Sequence, residues 1–131
     1  MSFSARKNYG DYQRESDVAI ASPVELVALT YERLLELLRL GQERLEQGQD
    51  AGQELGKALQ LITDGLQSCL DGQQGGQVAA NLNLLYNWAC AQILRARLRK
   101  DPQLLADVQR VLAPVAQAWR TQASSSTPVA P

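Results

Sequence analysis

Histidine is absent from this chain of 131 residues, and its absence removes a large block of chemistry. The side chain that most often acts as general base near neutral pH is missing, and so is the commonest metal ligand. The acidic residues lie off the apolar seams, so the glutamate-lined metal site that some helical bundles carry has no counterpart. Only two cysteines occur, Cys69 and Cys90, without C-x-x-C or zinc-like spacing. Their apolar helical settings predict two small buried hydrophobes in a reducing compartment, with an accidental disulfide across opposed helices left open. Charge of one sign is also lacking: 13 Lys and Arg face 14 Asp and Glu, for a net charge of −1. Nothing draws such a chain to nucleic acid or to an anionic bilayer. There is no apolar run long enough for a signal peptide or a membrane span, which predicts a cytoplasmic protein without membrane insertion. Gly75-Gly76 is not followed by Gly-Lys-Ser/Thr, so it is no phosphate loop. The expectation is a protein without cofactor, metal or catalytic machinery.

What the chain does have is helical periodicity. Its length suits one domain. Ser22-Pro23-Val24-Glu25 combines a hydroxyl N-cap, proline at the first helical position and glutamate three residues after the cap. A helix over about 23–47 follows, with Leu26, Leu29, Thr30, Leu34, Leu37 and Leu38 on one face. Val27, Tyr31, Leu35 and Leu45 widen that face beyond what a single bundle contact needs. A second helix starts near Asp50 and ends near Asp71-Gly72, with Leu55, Leu59, Ile62, Leu66 and Cys69 as its seam. The third begins after the glycine-rich break at 73–76, uses Val78, Leu82, Leu85, Ala89 and Ile93, and closes on Arg95, Arg97, Arg99 and Lys100. Asp101-Pro102 opens a fourth, carried by Leu105, Val108, Leu112, Val115 and Trp119 and predicted to kink at Pro114. The expected fold is all-α: an antiparallel four-helix bundle over 22–120, an extended or short-helical N-terminal arm over 1–21, and a disordered C-terminal tail over 121–131.

The candidate functional residues are apolar ones that the core does not require. Tyr9, Tyr12, Val18 and Ile20 lie in the arm ahead of the first helix. Burying one such side chain yields about 1.5–3 kcal/mol, while ordering a residue costs about 1–2 kcal/mol. The arm is therefore expected to dock only marginally, as a displaceable lid. Leu61, Leu84 and Trp88 fall off the predicted seams of the second and third helices, Leu29 lies on the over-wide face of the first, and the four are candidates to line an apolar groove. Such a groove suits an amphipathic helix from another chain.

The same residues carry a family resemblance. Tyr12, Ser16, Val18, Ala21, Ser22, Pro23, Glu25, Leu26, Val27 and Tyr31 are similar to the pattern Y-x-x-x-S-x-V-x-T-A-S-P-x-E-L-V-x-M-L-Y of the FliS family of flagellin export chaperones. Leu61-Ile62, Leu66, Leu70-Asp71, Gly75-Gly76, Ala79, Asn81-Leu82 and Leu85-Tyr86 resemble its central pattern. Leu105, Val108, Leu112 and Ala118-Trp119 resemble its carboxy-terminal one. The chain departs from the family at Ile20, at Leu29-Thr30-Tyr31-Glu32-Arg33, at Ala96-Arg97 and at Pro114. The resemblance implies a helical chaperone that binds the unfolded C-terminal segment of flagellin, blocks its polymerisation in the cytoplasm and keeps it ready for the flagellar type III export gate. Flagellar regulators are further candidate partners. It also implies that Ser22, Pro23, Tyr31, Tyr86 and Trp119 are scaffold. Two alternatives stay open from the residues: an adaptor for a different secreted or regulatory protein, and a self-associating bundle whose spare stripe is a homodimer seam.

Overall fold

The computed structural model describes residues 22–71 and 76–126. The arm residues Tyr9, Tyr12, Val18 and Ile20 lie outside them, as do 72–75 and the tail beyond 126.

Helix α1 spans Pro23–Glu46 and begins as its sequence directs. The Glu25 backbone N–H donates to the Ser22 hydroxyl at 3.1 Å, and the Ser22 N–H donates to the Glu25 carboxylate at 2.7 Å. That reciprocal box satisfies two of the amide groups a helix start leaves unpaired. Gly48 ends the helix at φ +76, where the Gln49 N–H can reach back to the Arg44 carbonyl at 2.8 Å. Helix α2 is built of three consecutive pieces: an α-helix over Gly52–Gln60, a π-helical stretch over Leu61–Gln67 and a last α turn over Ser68–Asp71. Asp50 precedes the N-cap, which is Ala51, but its carboxylate accepts from the Gly52 N–H at 3.1 Å. Helix α3 runs over Gly76–Arg99. Lys100 leaves it in the left-handed region at φ 53, and α4 starts directly at Pro102.

The four helices form a square. α1 packs on α4 and α2, and α3 closes the square against the same two. Neighbours are antiparallel, because contacts climb one helix as they descend the other. Glu32 pairs with Arg120 at 3.0 Å, and the Gln109 amide donates to Gln42 at 2.6 Å. No helix among the described residues is long and apolar enough to cross a membrane.

The core is aliphatic, with Leu34, Leu38, Leu55, Ile62, Ile93, Leu105, Val108 and Leu112 sealed from solvent. Several inward positions differ from the sequence expectation. The wide apolar face of α1 is not all core: Leu26, and Leu29, which the sequence offers as a groove candidate, are more than half exposed. The true stripe runs through Ala28, Tyr31, Leu34, Leu38, Gly41 and Leu45. On α3 the buried set is Tyr86, Ala89, Ile93 and Ala96, while Val78 is exposed and Leu82 and Leu85 are only partly covered. Small Ala89 and Ala96 let the neighbours close in on this helix, which a seam of leucines would hold off.

Cys69 is exposed, contrary to its expected burial, and Cys90 is intermediate; both are free thiols. The reason lies in the π-helical stretch. Its wider turn delays the rotation of α2, so the residue three beyond buried Leu66 falls short of the core and Leu70 packs there instead. Pro114 sits inside a helix that continues through Pro102–Ser126. The helix also passes the expected bundle boundary at Arg120, because Ala116, Trp119 and Ala123 extend the inward stripe at spacings of three and four.

Gly41 marks the tightest approach between α1 and α2. A Cβ there would stand 2.8 Å from Cδ2 of Leu55, itself fully buried. Gly41→Val is expected to cost about 1–3 kcal/mol through overpacking. Gly56, in the same bundle but with nothing within 4 Å of a Cβ, should gain about 0.5–1 kcal/mol as Gly56→Ala. Urea unfolding of the two variants checks both signs.

Candidate functional site

The described surface has a near-continuous apolar groove at the end of the bundle where α1 begins. One part, about 270 Å³, is lined by Pro23, Val24, Leu26, Val27, Thr30, Gly65, Leu66, Cys69 and Trp119. A second part, about 110 Å³, shares Val27, Leu66, Cys69 and Trp119 and extends to Val78, Ala79, Leu82 and Tyr86 on α3. Four helices thus contribute, and the lining is mostly apolar. Thr30, the one hydroxyl residue of the first part, donates its Oγ1 to the Leu26 carbonyl at 2.7 Å. Its methyl group is left facing Gly65, whose Cβ would sit 3.4 Å from it. The missing side chain at Gly65 keeps the groove open and joins it to a shallower furrow lined by Arg33, Leu37, Lys57, Gln60, Leu61 and Asp64.

Below the groove lies a polar lock in an otherwise apolar interior. Tyr31 on α1 and Tyr86 on α3 are buried, and their hydroxyls are 2.6 Å apart. The rings are tilted by 50° with centroids 6.3 Å apart. Burial pushes the Tyr31 hydroxyl far above its ordinary ionisation range; its bond to Tyr86 adds to this, and a bond with the Trp119 indole opposes it. Tyr86 is also raised, chiefly by burial. Both are phenols that stay neutral and hold helices in place. Burial raises the Cys90 thiol as well, which leaves it little thiolate and little reactivity. Among the described residues no cluster of three or more His, Cys, Asp or Glu is gathered as a metal site. This arrangement can bind apolar side chains through shape and burial.

The residues singled out from sequence do not share one groove. Leu61 is half-buried in the furrow between α1 and α2. Leu29 stands exposed on α1, one turn from Leu26 of the groove. Leu84 and Trp88 are exposed one turn apart on α3, on the side opposite its buried residues. Sequence reasoning missed Val27, Leu66, Cys69 and Trp119, the four residues shared by both parts of the groove. The spacing assigns Leu66 and Cys69 to the seam of α2, Val27 to the widened face of α1 and Trp119 to the scaffold. No pattern in the sequence marks a residue that is half core and half groove wall.

Among the described residues, a helical bundle with a mostly apolar groove is the architecture of a binding module. The model of the family described as "Flagellar protein FliS" matches residues 5–126. The chain is 35% identical over 119 residues to the flagellar secretion chaperone FliS of Salmonella typhimurium, covering 89% of this chain and 88% of that one. It is 36% identical over 107 residues to the flagellar secretion chaperone FliS of Vibrio cholerae, covering 80% and 78%. Against the flagellar secretion chaperone FliSB of Pseudomonas aeruginosa it is 33% identical over 117 residues, covering 88% and 92%. This chain belongs to the FliS family, a family of flagellar secretion chaperones and not of enzymes.

The tyrosine lock generates a prediction. Tyr31→Phe or Tyr86→Phe alone leaves the other hydroxyl buried with one partner fewer, costing about 1–3 kcal/mol. Removing both should cost less than the sum of the singles, as a double-mutant cycle of urea unfolding would read. Both hydroxyls ionise later in the folded chain than the ordinary value of 10.0. Their stability contribution is therefore complete below about pH 10 and is lost as pH rises above it, because only the unfolded chain releases these protons. The alkaline fall in stability should be shallower in the double phenylalanine variant.

Proposed function

We propose that this chain is a cytoplasmic export chaperone that binds the unfolded C-terminal segment of flagellin, prevents its premature polymerisation and keeps it competent for flagellar type III export. The observation that carries this reading is the mostly apolar groove contributed by four helices, in a chain of the flagellar secretion chaperone family. An apolar groove whose two hydroxyls, of Thr30 and Tyr86, are already bonded selects leucine-like anchors at helical spacing and not a polar small molecule. Each anchor buried contributes about 1.5–3 kcal/mol, and ordering an unfolded segment costs about 2–5 kcal/mol in total. Several anchors are needed for net binding, so a segment that engages the groove through only one is released.

Leu29 and Leu61 extend this surface along α1 and α2, and the groove and furrow meet at Gly65. Leu84 and Trp88 offer a separate contact to a client long enough to wrap around α3. Pro23, the first residue of α1, lines the groove. That supports Tyr9, Tyr12, Val18 and Ile20 as a lid that the client displaces. The flagellar export gate and other flagellar regulators are the further partners of this reading.

Titration calorimetry with flagellin, and with flagellin lacking its C-terminal segment, tests the assignment. Full-length flagellin should bind and the truncated form should not; equal binding by both would overturn it. Gly65→Leu, or a bulky maleimide on Cys69, should weaken binding at least tenfold, about 1.4 kcal/mol, with thermal unfolding little changed. Trp88→Ala should lower client affinity far more than folding stability. Deleting residues 1–21 should speed association, measured by stopped flow.

A further inference from the structure

The outer face of α3 carries an apolar stripe that the groove does not use. Tyr86, Ala89, Ile93 and Ala96 point inward. On the opposite side stand Leu84, Trp88 and Leu98, exposed to 68%, 36% and 82%, with Leu94 at 48% on the flank and exposed Ala91 between them. Leu84, Trp88, Ala91 and Leu98 follow steps of four, three and seven, which is the spacing of a coiled-coil seam and not of scattered surface leucines.

The stripe is nearly palindromic. Leu84 and Leu98 each lie seven residues from Ala91, and Trp88 and Leu94 each lie three away. A two-fold interface requires self-complementarity of this kind, since residue i meets j and j meets i. A client helix requires none. We propose that two copies of the chain pair through α3, antiparallel, with the two-fold axis at Ala91. The small side chain lets the helices approach closely there. Leu84 then packs against Leu98 of the partner subunit, and Trp88 against the partner subunit's Leu94.

Charge selects the antiparallel arrangement. Every residue of α3 from Gly76 to Leu94 is uncharged, while Arg95, Arg97 and Arg99 crowd its end together with Lys100. Parallel helices would stack the two basic clusters. Antiparallel helices send each to an uncharged stretch and bring Arg95 towards Trp88 of the partner subunit, where a guanidinium over an indole is attractive. One helix face per copy is smaller than the roughly 20–30 residues a side of a standard stable interface. The pair is therefore weak and concentration-dependent, a cover for the free chaperone and not an obligate dimer. It concerns the protein without client, is displaced where a client wraps onto Leu84 and Trp88, and does not depend on which client the groove takes.

Sedimentation equilibrium of the full chain over a wide concentration range tests the pairing. A monomer–dimer equilibrium is expected, and Leu98→Glu should weaken it at least tenfold without changing thermal unfolding. In a Cys69→Ser background, Ala91→Cys should give a covalent dimer on mild oxidation with copper phenanthroline, and Leu98→Glu should suppress that product. A chain that stays monomeric throughout, or a dimer indifferent to Leu98→Glu, overturns the proposal. So does a dimer that Ala91→Cys fails to cross-link. Two other occupants have their own signatures, and either would overturn the pairing. If dimers form only after deletion of residues 1–21, the chain's own arm covers the stripe. If Leu98→Glu leaves a monomer unchanged but lowers flagellin affinity, the client covers it.

Discussion

Two phenol hydroxyls 2.6 Å apart on helices that are not neighbours constrain everything else in this bundle. Tyr31 and Tyr86 sit on α1 and α3, across the diagonal of the square, and reach each other only if no large side chain stands between them. Their partnership lets the bundle bury two hydroxyls without leaving either unpaired, a debt that would otherwise approach the value of a whole buried leucine. It also fixes the rotation of both helices. With Tyr31 turned inward, Leu26 and Leu29 are carried to the side, and with Tyr86 turned inward, Leu84 and Trp88 are carried outside. The spare apolar surface is thus a consequence of where the core places its only two buried tyrosines among the described residues.

The groove depends on the same lock. Tyr86 forms part of its floor and Trp119 part of its wall, and the Trp119 indole also bears on the Tyr31 hydroxyl. A binding surface built on such a floor is preorganised: its shape does not have to be assembled when a client arrives. Preorganisation matters for a partner that is unfolded beforehand, because the ordering cost then falls on one side of the complex only.

Much of the architecture was legible in the sequence because its signals are local. The Ser22-Pro23-Glu25 box, Gly48 and Asp101-Pro102 fix helix ends through hydrogen bonds within a few residues, and the structure places helix ends at or beside each of them. Inward register was less legible, because it is decided by partners far along the chain. Nothing near Tyr31 in the sequence says that its hydroxyl will meet one 55 positions away. Nothing local marks the π-helical stretch over Leu61–Gln67 that turns Cys69 outward. At Pro114 the apolar spacing that runs on through Val115 to Trp119 indicated a helix continuing past the proline, and the helix does continue. The candidate site suffered most: three off-seam residues and Leu29 suggested one groove, whereas both of its parts are lined by Leu66 and Cys69, which the spacing assigns to a core seam.

A small helical protein with ordinary leucine content cannot hide all of it once four helices have closed on one another, and what remains must be covered or tolerated. Here the remainder falls on two surfaces with different characters. The groove near Pro23 is concave, drawn from four helices and without internal symmetry, so it fits a foreign segment. The α3 stripe is convex, drawn from one helix and palindromic, so it fits a copy of itself. Convex apolar ridges bind weakly because each side chain is enclosed on one side only, whereas a concave groove encloses its guest. A chaperone that must stay soluble while empty and yet yield to its client benefits from this asymmetry. The weaker cover is lost by dilution, and the stronger site is left for the chain that can fill it.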